Sequence, residues 1–94
     1  MALDKTQILS FLRSNSRLFS ERYNVRRIGL FGSYVHSRQR PESDIDIIVE
    51  GDHVRDDGLR DYLERHFEKK VDVIKENSLY NFMKYIIQKE TEYA

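Results

Sequence analysis

Apolar residues recur along the chain with two periods, one typical of helices and the other of strands. Asp4 precedes an interrupted helical stripe that continues towards Tyr23, so we expect a capped first helix there. The segment VRRIGLF then predicts a strand that stops at Gly32. Apolar positions three and four residues apart predict a helix from Leu59 and a last helix capped by Ser78.

The segment SDIDIIVE is the clearest strand in the sequence. Because side chains alternate between the faces of a strand, Asp44 and Asp46 share one face with Ile48. The opposite face carries three apolar side chains: Ile45, Ile47 and Val49. A third strand, KKVDVIKE, has Asp72 between two valines, where a charge again needs an explanation.

The predicted order is helix, strand, turn, strand, helix, strand, helix. This order favours an α+β fold, an α/β sandwich in which a small mixed β-sheet is flanked by helices. We expect residues 1–94 to form a single domain, since 94 residues leave room for only one modest core.

Composition narrows the class of protein. The chain is 39% hydrophobic and contains 11 Phe and Tyr residues, which indicates a folded domain. It has no cysteine, which excludes a disulfide framework, a thiolate zinc site and thiol redox chemistry. No apolar run approaches the length that spans a bilayer, and the start does not resemble a signal peptide, so we expect a soluble cytoplasmic protein without membrane contact.

Charge is unevenly distributed although the net charge is zero. Residues 1–40 carry eight Lys or Arg and two acidic residues, whereas residues 41–94 carry eight and fourteen. The commoner explanation for this asymmetry is a fold in which the basic segment faces the acidic one. The other explanation is a site that binds polyphosphate on one side and cations on the other. The zero net charge makes nucleic acid an unlikely partner, although a nucleic-acid-binding module that uses the basic half stays an alternative.

The carboxylates are the first candidate for chemistry. Two aspartates on one face repel each other unless they are solvated, paired with Arg or neutralised by cations. A solvent-exposed face is the ordinary explanation, and a hard-cation site is the functional one, because Mg²⁺ prefers carboxylate oxygens. With Asp72, three acids can hold two metal ions about 3.5–4 Å apart, although an exposed strand acid explains Asp72 nearly as well.

Gly32 and Ser33 form the second candidate. Glycine tolerates positive φ and lets a ligand come close, and a helical turn after it offers N–H groups to phosphate oxygens. A Gly-Ser pair after a strand is a weak signal by itself, and its spacing from Asp44 and Asp46 strengthens it.

The segment GSYVHSRQRPESDIDIIVE resembles the motif of the polymerase beta nucleotidyltransferase superfamily, specifically the minimal nucleotidyltransferases or MntA-like antitoxins. In that family Gly-Ser and a short helix are followed by Ser-Asp-x-Asp. The resemblance covers essentially the whole chain and implies catalytic and Mg²⁺-binding roles for Asp44 and Asp46. It implies that Asp72 is the third catalytic and metal-binding acid, which helps to deprotonate the acceptor. The implied nucleotide-binding residues are Gly32, Ser33 and Ser43.

The sequence departs from this family in one place. Relatives often have Ala-Arg-Gly where this chain has Val35, His36 and Ser37, with Arg38 and Arg40 close behind. The arginine expected near the phosphates is therefore displaced or replaced by His36.

The resemblance implies an antitoxin that transfers AMP from ATP, with two Mg²⁺ ions, to a tyrosine hydroxyl of a HEPN ribonuclease toxin. The length of 94 residues favours a protein acceptor, with which the chain could form a hetero-oligomer. A non-catalytic antitoxin that blocks the toxin by binding is the alternative. The apolar segment LYNFMKYII suggests a partner or self-association surface, although a core helix explains most of it.

Overall fold

The structure is a computed structural model that describes residues 3–94. Its helices are α1 (Lys5–Ser14), α2 (Ser16–Tyr23), α3 (Leu59–Phe67) and α4 (Asn81–Glu90). Its strands are β1 (Arg27–Phe31), β2 (Ile45–Glu50), β3 (Val71–Lys75) and β4 (Glu92–Tyr93). Two short 3-10 turns span Gly32–Tyr34 and Glu76–Ser78.

The four strands form one sheet in the order β3-β2-β1-β4. Strand β1 runs antiparallel to both β2 and β4, whereas β2 and β3 are parallel. The parallel pair is joined through α3, as a crossover requires. The predicted α+β fold with a small mixed sheet is therefore confirmed.

The first helix begins as expected and is then interrupted. Asp4 caps α1 in a capping box, in which its carboxylate accepts from the Gln7 N–H and the Gln7 side chain accepts from the Asp4 N–H. The prediction of one helix to Tyr23 is wrong, because Asn15 leaves the helical conformation between α1 and α2. The Asn15 side chain donates to the carbonyl oxygen of Phe11, which helps to end α1.

The main core lies between one face of the sheet and helices α1 to α3. The apolar face of β2 contributes Ile45, Ile47 and Val49, all of them fully buried as the alternation predicted. Fully buried side chains of the helices meet them: Ile8, Leu12, Phe19, Leu59 and Leu63. At roughly 1.5–3 kcal/mol for each such side chain, this layer fixes the position of β2.

The C-terminal segment differs most from the prediction. Ser78 does not cap the last helix: it lies in a 3-10 turn, where its hydroxyl donates to the Lys75 carbonyl, and α4 begins at Asn81. None of the α4 residues is buried, so the expected core helix is wrong as well.

The short strand β4 was not expected from the sequence. It holds the C-terminus against β1, with Tyr93 opposite Gly29. The Tyr93 hydroxyl donates to the buried carboxylate of Glu50, and the Arg27 guanidinium lies 3.7 Å above the Tyr93 ring centroid. These contacts attach the end of the chain to the face of the sheet that carries Asp46.

No helix within residues 3–94 is both long enough and apolar enough to cross a bilayer.

Candidate active site

The sheet register brings the predicted carboxylates together where strands β2 and β3 begin. Asp46 pairs with Phe31 at the end of β1 and with Asp72 near the start of β3. Asp44 lies two residues before Asp46, just outside β2. Residues paired across a sheet share a face, so Asp46 and Asp72 point to the side opposite the main core. We call this group of three aspartates the acidic edge.

The electrostatics of the acidic edge centre on Asp46. Burial, followed by the negative charges of Asp72 and Asp44, raises the pKa of Asp46 from 3.8 to about 6. Asp46 is half-buried, while Asp44 and Asp72 are exposed. Within residues 3–94 no Lys or Arg forms a salt bridge with any of the three. Neutralisation by arginine is therefore not the reason that these charges are tolerated.

This donor set fits a divalent cation. A cation offsets the repulsion that, after burial, contributes to the raised pKa of Asp46, and carboxylate oxygens suit Mg²⁺. In the part of the chain described here, no three acidic or histidine side chains already converge as a ligand set. The exposed side chains of Asp44 and Asp72 have the rotamer freedom to turn towards a cation beside Asp46.

Gly32 is required at the acidic edge for two reasons. Its φ of 81° lies in the left-handed region that favours glycine. A Cβ atom at this position would also overlap with Oδ2 of Asp46. The glycine of the Gly-Ser pair therefore makes room for the central carboxylate, which sequence spacing alone did not indicate.

Ser33 lies in the 3-10 turn that begins at Gly32. The Gly32 carbonyl accepts from the Val35 N–H at 3.2 Å, and the Ser33 carbonyl accepts from the Arg38 N–H at 2.9 Å. The first N–H groups of such a turn have no acceptor within it, so they are available to a ligand. Tyr34 is buried in the main core. Phosphate binding by Gly32 and Ser33 stays a prediction.

Ser43 has a local structural role that the motif did not indicate. Its Oγ accepts from the Arg40 N–H at 2.8 Å, and its own N–H donates to the Arg40 carbonyl at 2.9 Å, which closes a turn before Asp44. The hydroxyl still carries a proton that it can donate, and its contact with nucleotide stays a prediction. Sequence reasoning missed Lys69, whose ammonium donates to the Pro41 carbonyl at 2.6 Å and holds the same loop.

Two clefts adjoin these elements. One, of about 630 Å³, is lined by acidic and basic residues together: Asp44, Asp72, Glu64, Glu68, Arg60, Lys69 and Lys70. The second, of about 640 Å³, lies between α4 and the segment after the Gly-Ser pair, where it is lined by Val35 and His36. A larger cleft of about 750 Å³ lies between α2 and α3 and contains none of the three aspartates, so size alone does not locate the chemistry.

Comparisons with known proteins agree with this geometry. A family model described as a nucleotidyltransferase domain matches residues 10–94. A Thermococcus cleftensis protein named protein adenylyltransferase MntA is 32% identical over 92 residues, which are 94% of this chain and 93% of that protein. A Methanocaldococcus jannaschii protein, provisionally named a protein adenylyltransferase, is 37% identical over 96 residues, which are 95% and 96% of the two chains.

Solved structures give the same fold. A toxin-antitoxin structure with AMP-PNP aligns with a TM-score of 0.68 and 25% identity, over 97% of this chain and 72% of that chain. A structure provisionally described as a minimal nucleotidyltransferase aligns with a TM-score of 0.79 over 96% of this chain and 95% of that chain. Its 22% identity supports the fold alone.

The acidic edge beside a glycine turn and the family match define the class: the chain belongs to the nucleotidyltransferase domain family and is an enzyme of that kind. Within the family, the proteins to which it is similar are the MntA-like minimal nucleotidyltransferases, so the resemblance seen in the sequence is confirmed.

Proposed function

We propose that this nucleotidyltransferase is an antitoxin that transfers AMP from ATP to a tyrosine hydroxyl of a HEPN-type toxin, with Mg²⁺ as cofactor. The observation that carries the proposal is the acidic edge, where Asp46 lies against Gly32 and beside Asp72. Three unpaired carboxylates next to a glycine turn suit a nucleoside triphosphate and its cations better than they suit protein stability.

The reaction forms one bond and breaks another. The tyrosine oxygen forms a bond to the α-phosphorus of ATP, and the bond from that phosphorus to the bridging oxygen of pyrophosphate breaks. The electron pair leaves with pyrophosphate. Asp72 is exposed and accepts the phenolic proton, directly or through water, whereas Asp46 is half-buried beside Gly32.

Asp44, Asp46 and Asp72 would hold the Mg²⁺ ions, which would supply positive charge at the phosphate oxygens. The backbone N–H groups of the turn at Gly32 and Ser33 would orient the triphosphate. Burial and the charges of Asp72 and Asp44 raise the pKa of Asp46 to about 6 in the protein alone. Bound cations would favour the ionised carboxylate, so Asp46 would be ionised in this state.

Two observations support a toxin as the acceptor. The chain is 32% identical to an MntA named as a protein adenylyltransferase, and it aligns with a toxin-antitoxin structure that contains AMP-PNP. The first supports a protein target, and the second supports both ATP and a toxin partner. The HEPN class and the tyrosine follow from the resemblance to MntA-like antitoxins.

In a second candidate function, the protein binds the same toxin but does not modify it. His36 stands where related chains often carry an arginine, and it lines the groove beside the Gly-Ser turn. If this change weakens ATP binding, the protein neutralises the toxin by occupying its surface.

Label transfer from α-³²P-ATP to the cognate HEPN-type toxin in the presence of Mg²⁺ tests the proposal. We expect label on the toxin with the wild-type protein, none with γ-³²P-ATP, and none with the Asp44→Asn/Asp46→Asn variant. An unlabelled toxin that is nevertheless bound and inhibited equally by both proteins would favour the second candidate.

A further inference from the structure

Helix α4 has the reverse of the usual amphipathic arrangement. Its three least exposed residues are Lys84, Ile87 and Gln88, which lie on the side that faces the protein. Two of these three are polar. The other side carries apolar residues at helical spacing, including Phe82, which is 72% exposed, and Tyr85, which is 66% exposed. A helix normally buries its apolar side, so the apolar side of α4 is available to a partner.

Contacts with the sheet and the preceding turn fix this orientation. The Gln88 amide donates to the buried carboxylate of Glu50 at 3.4 Å, and Lys84 forms a salt bridge with Glu76 at 3.2 Å. The chain then continues into β4, which pairs with β1. Rotating the helix to bury its apolar side would leave the Glu50 carboxylate with fewer donors, which is costly for a buried charge. The outward apolar side is therefore a property of the fold.

The exposed large apolar side chains of residues 3–94 all lie in this one segment. We call them the α4 patch: Tyr80, Phe82, Met83, Tyr85 and Ile86. Their exposed fractions run from 38% to 86%. At about 200 Å² for a large side chain, the patch exposes roughly 600 Å² of largely apolar surface. That is most of the ~800 Å² that one partner contributes to a stable interface.

The α4 patch is continuous with the proposed active site. Tyr85 and Ile86 also line the groove of about 640 Å³, whose opposite wall is formed by Val35 and His36. That wall follows directly after the turn at Gly32. A protein that docks on the patch therefore extends along the groove towards the acidic edge.

We propose that the α4 patch is the docking surface for the acceptor protein, which contributes an apolar helical face next to the hydroxyl that is modified. The proposal rests on the proposed function and names the surface by which the same site obtains its substrate. A helical face fits because the patch is one convex helix side, against which the side-chain ridges of a second helix can pack. A second copy of this chain is the competing occupant.

The test uses Phe82→Glu/Tyr85→Glu, which places two charges in the centre of the patch. The matched control, Thr6→Glu/Ser10→Glu, adds the same charge at exposed positions of α1, on the other side of the sheet. Circular dichroism and thermal unfolding first establish that each variant is folded. Phe82→Ala is the milder substitution should the double variant not fold.

Three kinds of measurement are then made on each folded protein. Titration calorimetry gives the affinity for Mg²⁺-ATP and, separately, for the cognate HEPN-type toxin. Label transfer from α-³²P-ATP gives the rate of toxin modification, and sedimentation gives the oligomeric state of the protein alone.

We expect the patch variant to bind the toxin at least about 30-fold more weakly than wild type, as the loss of an interface hot spot implies. It should bind Mg²⁺-ATP normally, and the α1 control should match wild type in all three measurements. Toxin modification that is equal in wild type and the patch variant would overturn the docking inference and leave the proposed function intact. A wild-type dimer that the patch variant converts to a monomer, with unchanged toxin binding, would assign the patch to self-association. If the wild-type protein neither binds nor modifies the toxin, both proposals fail.

Discussion

Gly32→Ala tests the contact between the glycine turn and the central carboxylate. Alanine at a φ of 81° adopts a left-handed conformation, which costs roughly 1–2 kcal/mol of folding free energy. Its Cβ atom would also overlap with Oδ2 of Asp46, so the carboxylate must move by about 1 Å to restore ordinary contact. A misplacement of this size in a catalytic group costs about 10²-fold in rate.

Gly58→Ala is the matched control for this substitution. Gly58 has a φ of 79°, so alanine there has nearly the same backbone strain, and no atom lies within 4 Å of its Cβ position. It precedes α3 and has no contact with Asp46. The difference between the two variants therefore isolates the effect on the carboxylate.

The assay combines urea denaturation with the rate of AMP transfer at saturating ATP. We expect both variants to lose about 1–2 kcal/mol in free energy of unfolding, and only Gly32→Ala to lose about 10²-fold in transfer rate. Equal transfer rates in the two alanine variants would refute the claim that Gly32 leaves the room that the Asp46 carboxylate needs.

Three further predictions concern the ionisation of Asp46, the binding of Mg²⁺ and the hydrogen bond of Tyr93. Without divalent cations, the pKa of Asp46 is about 6 in the folded protein, so its protonated carboxyl group contributes stability below pH about 4 that is lost as pH rises to about 6. Urea denaturation across this range should show the loss in wild type and not in Asp46→Asn. Mg²⁺ at ten times its dissociation constant should stabilise wild type by about 1.4 kcal/mol and leave Asp44→Asn/Asp46→Asn unchanged, as thermal unfolding would reveal. Tyr93→Phe removes the hydroxyl that donates to the buried Glu50 and should cost about 1–3 kcal/mol in free energy of unfolding, whereas Tyr80→Phe at an exposed position should cost less than about 0.5 kcal/mol.

Much of the fold follows from local patterns in the sequence. Strand β2 could be predicted because its alternation is strong and its apolar side is fully buried. The cap at Asp4 could be predicted because the capping interaction involves residues only three apart. The interruption at Asn15 was missed because apolar residues resume at Leu18 and Phe19, with helical spacing from Leu12, after the polar residues 13–17.

The C-terminal segment could not be predicted because tertiary contacts determine it. Strand β4 is two residues long and exists through its pairing with β1. The apolar positions of α4 predicted burial, but Gln88 bonds with Glu50, which is distant in sequence, and Lys84 bonds with Glu76 in the preceding turn, so the apolar side faces out. No local pattern contains that information.

The sequence indicated the residues of the candidate site, whose roles stay predictions, but not the geometry that brings them together. The motif indicated Asp44 and Asp46, and the register of β2 with β3 places Asp72 beside them. The close approach of Gly32 to Asp46 and the bond from Lys69 to the loop before Asp44 depend on the folded chain. Both involve residues well separated in sequence.

Turnover separates catalysis from binding most directly. The protein is mixed with a tenfold excess of its cognate HEPN-type toxin, ATP and Mg²⁺, and the intact mass of the toxin is followed over time. The account predicts that nearly all toxin molecules gain the mass of an adenylyl group with wild type and that none do with Asp44→Asn/Asp46→Asn. Toxin that keeps its original mass while the wild-type protein inhibits it only at equal concentration would contradict the account.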